Sequence, residues 1–261
     1  METTIIPPLR PRLRSQCAAA SSPRIGRRLL LGLAAACSLG TIVGSAAASG
    51  IPPRVQATQE LAVLLTAHGA HRAPEARAPQ VALVAARRPI TGEQTTLPVL
   101  SRSTGPGGIP WLQVMLPGRP DGSTGWIVQQ HTRPLVTLWR IVVDLAARRV
   151  KVYRDGHTVR TFQAVVGKPS TPTPTGQFFV EETVQMQAGE PGGPSALALS
   201  ARSNVLREFE GGPGQIAIHG RNNLGGTLGN AASHGCIRLA TTSIDWLTTR
   251  IGPGIPVTID A

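Results

Sequence analysis

QIAIHGRNNLGGTLGNAASHGCIRL, residues 215–239, decides how the rest of the chain is read. Its opening residues, with Ile216 and Ile218 apolar, form a short strand that ends at His219. A loop rich in Gly and Asn follows, and then SHGCIRL (Ser233–Leu239) sets a cysteine between His-Gly and Ile-Arg. A thiol attacks acyl carbon usefully only as the thiolate. A catalytic cysteine therefore requires a base within hydrogen-bond reach, a third group orienting that base, and donors for the developing oxyanion. Two histidines lie close to Cys236 in sequence, His219 and His234, and the Gly-rich loop lets the chain fold back between them. His219, at a strand end, is placed to act as the base, with a neighbouring backbone carbonyl such as that of Gly220 holding its other ring nitrogen. Gly235 permits close approach of backbone to substrate. The amides of His234, Gly235 and Cys236 are the candidate oxyanion donors.

The other cysteines, Cys17 and Cys37, fall in a segment of different character. Six arginines (Arg10, Arg12, Arg14, Arg24, Arg27 and Arg28) precede the run LLLGLAAACSLGTIV, and GSAAAS follows. Basic, apolar and small residues in that order are the layout of an export signal over residues 1–48. GRRLLLG (Gly26–Gly32) resembles a twin-arginine signal, LAAAC (Leu33–Cys37) resembles a lipobox with Cys37 as the acylated residue, and an uncleaved membrane anchor is a third reading. Each places the remainder outside the cytoplasm, in the cell envelope. Cleavage near Ala48 leaves Cys236 alone, which excludes a disulfide framework and points to a reactive thiol or an intermolecular partner; a buried inert cysteine is the plainer reading.

The formal charge is +12, and six arginines against Glu2 in residues 1–48 leave +7 for the rest. Lysine is scarce: Lys151 and Lys168 are the only two among 26 basic residues. Outside a cell such a surface favours anionic wall polymers or lipid head groups, or simply solubility. Nucleic acid is not expected, because no basic block with interleaved aromatics is present.

Residues 49–79 read as a linker with a short amphipathic helix over TQELAVLLTAHGAH (Thr58–His71), where Leu61, Leu64 and Leu65 share a face. Residues 80–135 change to brief apolar runs (VALVA, TLPVL, WLQVML, GWIV) broken by GPGGIP and PGRPDGSTG, the pattern of a small β-barrel or sandwich. WLQVMLPGRPDGSTGWI resembles bacterial SH3-like wall modules, with Trp111 and Trp126 either packing the core or lining a ligand groove.

From Leu138 to residue 260 a second β region begins. WRIVVDLAARRVKVYRDGHTVRTFQAVVG predicts three strands, with Asp155-Gly156 as a hairpin turn. KPSTPTPTG (Lys168–Gly176) is a stiff loop, QFFVEE a strand, and Ala188–Pro194 a Gly/Pro-rich loop. A strand near Ala196–Leu199 and a short helix around Val205–Glu208 are expected before His219. After the cysteine, TTSIDWLTTRI reads as a helix with a Thr242/Asp245 capping box and Ile244, Leu247 and Ile251 on one face; IPVTID returns as a strand. The fold class is mostly β with one or two helices.

His-Gly, a loop and SHGCIRL, together with the VDL…RRVKVYRDG hairpin and the PTPTG loop, resemble the L,D-transpeptidase catalytic domain of the YkuD type, from about Leu138 to Ile259. The resemblance implies a cysteine acyltransferase acting on peptidoglycan stem peptides without a cofactor or metal. In it Cys236 matches the nucleophile, His219 the general base and Gly220 the orienting carbonyl, while Ser233, His234 and Gly235 shape the active site. Arg238 matches a position that implies contact with a substrate carboxylate, with a structural salt bridge as the alternative. The short AGEPGGPSALALS loop suggests a reduced lid. Other readings remain: a zinc site of His219, His234 and Cys236, which lacks a completing ligand; an inactive wall-binding module; and an L,D-carboxypeptidase using the same acyl-enzyme.

Overall fold

The computed structural model describes residues 55–209 and 211–261, so the expected export segment and its two cysteines lie outside the described residues. Two sheets hold nearly all the strands of the described residues. The first runs through β1 (Gln59–Leu64), β2 (His68–His71), β3 (Gln80–Val84), β4 (Thr96–Thr104), β5 (Pro110–Met115), β6 (Thr124–Val128) and β7 (Thr132–Thr137). These form one seven-stranded sheet in the order β3-β2-β6-β5-β4-β1-β7, antiparallel at every pairing.

The helix expected over Thr58–His71 is instead β1 and β2, so this sheet starts at Gln59 rather than near residue 80. Four consecutive residues, Leu61, Ala62, Val63 and Leu64, are all at most 3% exposed, while Leu65 is 50% exposed. Burial on both faces in succession is what a central strand achieves and a one-sided helix does not. β1 is central here, paired with β4 on one side and β7 on the other. Trp111 is buried, with its ring edge-on to His71, and so packs the core; Trp126 is half-buried.

The second sheet contains β8 (Trp139–Asp144), β9 (Arg149–Arg154), β10 (His157–Gln163), β12 (Gly176–Gln185), β13 (Ser195–Arg202), β14 (Gln215–Gly220), β16 (Ile237–Leu239) and β17 (Pro256–Asp260), in the order β10-β9-β8-β17-β12-β13-β14-β16. Two short strands, β11 (Val166–Gly167) and β15 (Ala231–Ser233), pair separately. The Asp155-Gly156 turn forms as the sequence predicts: both residues have positive φ (52° and 75°), which a two-residue hairpin loop requires.

The one α-helix among the described residues, α1 (Thr241–Thr248), buries Ile244, Leu247 and the following Ile251 against this sheet. The expected capping box is absent. Ala240 is the N-cap and no side chain caps the helix, because α1 starts one residue after β16 and Thr242 already lies inside it. The helix expected around Val205–Glu208 is a loop. The Ser203 hydroxyl accepts the amides of Val205 and Leu206 as a helix cap would, but Phe209 and Gly212 then exchange backbone hydrogen bonds and turn the chain. Val205 and Phe209 remain 53% and 41% exposed, so a helix here would have had no apolar face to bury.

β12 connects the two cores. Phe178 packs in the core of the second sheet and its neighbour Phe179 in that of the first, because successive side chains of a strand leave by opposite faces. Glu181, on the Phe179 side, is buried between Arg88 of the first sheet region and Arg202 of β13, the latter at 2.9 Å. Glu182 accepts the amide and hydroxyl of Thr91, each at 2.9 Å.

Candidate active site

β14 and β16 pair in parallel, with His219 opposite Arg238 and Ile218 opposite Ile237. β16 starts at Ile237, directly after Cys236, so the pairing of its first residue with Ile218 brings the cysteine close to the strand that carries His219. Sixteen residues separate His219 from Cys236, and the parallel pairing of the strands on either side is what brings imidazole and thiol together.

His219 is held tightly. Its Nδ1 lies 2.6 Å from the Gly220 carbonyl, which fixes the tautomer with Nδ1–H donating and Nε2 available to accept. Burial pushes the imidazole down to about 4 from 6.5; the Gly220 carbonyl opposes this, the Arg238 charge adds to it, and Gly192 opposes it again. The residue as a whole is half-buried, with protein packed around the ring. At neutral pH the ring is thus uncharged and able to take a proton.

The residues before Cys236 form a rigid turn. Ser233 is fully buried; its hydroxyl donates to the Cys236 carbonyl at 2.6 Å and accepts the Gly235 amide at 3.1 Å. The Gly235 amide thus donates to Ser233 within the turn. Gly235 has φ +124°, a backbone state that L side chains avoid, and a Cβ there would meet Ile216 at 3.0 Å. His234 stacks on Phe209 with ring centroids 6.0 Å apart, and its Nε2 lies 3.4 Å from Lys168 Nζ.

Arg238 is buried, and its guanidinium donates to the Gly225 carbonyl at 2.8 Å, tying β16 to the loop after β14. Its backbone exchanges both hydrogen bonds with Val165. Among the described residues no group of three His, Cys, Asp or Glu is placed to hold a metal ion.

Several residues of the site carried no individual signal in the sequence. Thr173 donates its hydroxyl to the Gly235 carbonyl at 2.7 Å and Thr171 to that of Ser233 at 3.3 Å, so the KPSTPTPTG loop braces the cysteine turn. The available hint was that Thr173 sits between Pro172 and Pro174, which restrict its backbone and present its hydroxyl at a fixed place. Gly192, in the short loop after β12, lies against the His219 ring: a Cβ there would fall 2.7 Å from Nδ1.

Residues 139–259 match the YkuD family model, the L,D-transpeptidase catalytic domain. Proteins named L,D-transpeptidase YkuD are similar in sequence: that of Bacillus licheniformis is 32% identical over 142 residues, covering 54% of this chain and 78% of its own, and that of Bacillus subtilis is 29% identical over 147 residues, covering 56% and 74%. A crystal structure of an Enterococcus faecium L,D-transpeptidase variant aligns over 47% of this chain and 49% of its own, at 23% identity and a TM-score of 0.38. With the sequence match spanning the cysteine turn, the histidine strand and the hairpin that precedes them, the chain belongs to the L,D-transpeptidase family.

Proposed function

We propose that this protein is exported and there forms an acyl-enzyme between Cys236 and a peptidoglycan tetrapeptide stem, then passes the acyl group to an amine. The observation that supports this most is the His219 ring, its Nδ1 held 2.6 Å from the Gly220 carbonyl, on the strand that pairs with the one directly following Cys236. Nε2 of His219 takes the thiol proton as sulfur attacks the carbonyl of the third stem residue. The peptide bond to the fourth residue breaks, and the departing amine of D-Ala receives that proton from the imidazolium. In the second half an acceptor amine gives its proton to His219 while its nitrogen attacks the thioester. The Cys236 sulfur leaves as thiolate and is reprotonated. Ser233, Gly235 and Thr173 brace the turn that carries the sulfur, which supports a thiol held in place for attack. The basic surface of the exported portion, +7 by sequence, favours retention on anionic wall polymers.

Intact mass spectrometry of the protein mixed with a tetrapeptide stem tests the reading. The expected result is a mass increase equal to the stem minus D-Ala, absent in Cys236→Ser, and a cross-linked dimer of stems at longer times. Release of free tripeptide without dimer assigns the same acyl-enzyme to hydrolysis. An adduct that persists in Cys236→Ser refutes the mechanism.

A further inference from the structure

Lys168 is out of keeping with its surroundings. The chain carries only two lysines among its 26 basic residues. The other, Lys151, has a carboxylate partner, Asp144 at 3.6 Å, in an ordinary surface ion pair. Among the described residues no carboxylate pairs with Lys168, although it is half-buried beside the catalytic turn. A lysine beside this turn whose ammonium is not spent on a carboxylate is placed to meet an anionic ligand.

Its position is fixed. The Lys168 amide donates to the Ser233 carbonyl at 3.0 Å, the Thr171 amide donates to the Lys168 carbonyl at 2.9 Å, and the Gly167 amide donates to the Thr173 hydroxyl at 2.9 Å. Thr171 and Thr173 in turn hold the carbonyls of Ser233 and Gly235. The backbone of Lys168 is thus bonded directly to the turn that carries Cys236. The side chain ends with Nζ 3.4 Å from His234 Nε2, two residues before the nucleophile. The imidazole nitrogen accepts one of the three ammonium protons, which leaves two for another acceptor.

Resting on the acyl-enzyme reading above, we propose that Lys168 Nζ receives a carboxylate of the donor stem peptide and so positions the stem carbonyl over Cys236. The stem offers two sources of the same chemistry, the terminal α-carboxylate of the fourth residue and a side-chain carboxylate earlier in the peptide. A compact ammonium with two protons to give suits either one.

The test measures acylation of Cys236 in the full chain, Lys168→Met and Lys168→Arg, each with four tetrapeptide stems: unmodified, amidated at the terminus, amidated at the side-chain carboxylate, and amidated at both. A charge-assisted hydrogen bond corresponds to roughly 10- to 100-fold in affinity. Lys168→Met is expected to raise KM for the unmodified stem by about that factor with a much smaller change in kcat, and Lys168→Arg to recover part of it. Amidation of the contacted carboxylate should weaken the wild type by the same factor and abolish the difference between wild type and Lys168→Met; whichever amide does so identifies the source. A Lys168→Met defect of equal size with all four stems, or no defect with any, overturns the proposal and leaves Lys168 as a brace for His234. Iodoacetamide labelling of Cys236 separates the two levels of inference. A wild type that labels but is acylated by none of the stems refutes the acyl-enzyme reading and this one with it, whereas acylation of the wild type with an equal Lys168→Met defect across stems refutes this one alone.

Discussion

His219 should make the folded protein lose stability on acidification in a window set by its own displaced titration. Burial holds its imidazole at about 4 in the native state against 6.5 for an unperturbed histidine. Each pH unit of displacement corresponds to about 1.4 kcal/mol, so the full gap corresponds to roughly 3 kcal/mol, and to about 2 once the partial exposure of the residue is allowed for. Above 6.5 the ring is neutral in both states and native stability is unaffected by it. As pH falls from about 6.5 towards 4 the unfolded chain binds a proton that the native state refuses, so the unfolded state gains. Below about 4 the loss is complete. Urea unfolding of the wild type and His219→Gln at pH 7.5 and pH 4.5 isolates the effect, because every other histidine is common to both proteins. The wild type is expected to lose about 2 kcal/mol more than the variant between these two conditions. The same displacement sets the acid limb of kcat/KM for Cys236 acylation, whose midpoint should fall well below 6.5. Equal pH sensitivity in the two proteins, or an acid limb near 6.5, would show that the ring is solvated and refute the argument from burial.

Two further outcomes follow from contacts around the site. Gly192→Ala places a methyl 2.7 Å from His219 Nδ1 at a residue with φ +87°, so it should displace the ring from the Gly220 carbonyl and slow acylation by about 100-fold while the protein still folds, as circular dichroism and acylation rates would show. An unchanged rate would mean that the ring can shift without consequence. Glu181→Ala leaves buried Arg202 without its carboxylate and Arg88 with only Glu182 at 4.0 Å, and should cost about 3–5 kcal/mol in chemical denaturation, whereas Arg102→Ala, which breaks a half-exposed pair with Glu60, should cost under about 1 kcal/mol.

The sequence made the second sheet legible because its signals were local. Asp155-Gly156 dictates a two-residue hairpin, and Ile244, Leu247 and Ile251 mark the buried face of α1 at helical spacing. The thiol and the imidazole were legible for a similar reason: the residues that matter stand in one 25-residue stretch, 215–239. What misled was the segment Thr58–His71, where Leu61, Leu64 and Leu65 fit a helical period while Ala62 and Val63 fit a strand equally well. Pairing with β4 and β7, some 35 and 70 residues away in sequence, decided between them, and no local pattern reports such partners. The bracing threonines, Gly192 and Lys168 were unreadable for the same cause. Each acts on the cysteine turn or the histidine through a contact that exists only after the sheet has closed.

The family match ends at residue 139, yet the support for the site does not. Arg119, in the loop between β5 and β6, donates to the carbonyls of Ser203 and Pro213 at 2.8 and 3.3 Å, and Asp121 accepts the Arg202 amide at 2.9 Å. Those bonds fix both ends of the segment from which Phe209 reaches to stack on His234. Burial pushes the Asp121 carboxyl up and outweighs the Arg202 amide and the charges of Arg119 and Arg202, which pull it down. Phe179 and Glu181 anchor the same strand, β12, in the core of the first sheet. A strand whose alternate side chains serve two cores cannot move with one and stay fixed in the other. The first sheet is therefore part of the rigid frame on which His234 and the cysteine turn are built, and an activity measured on residues 139–259 alone would report a site that has lost the partners of Arg202, Glu181 and Ser203.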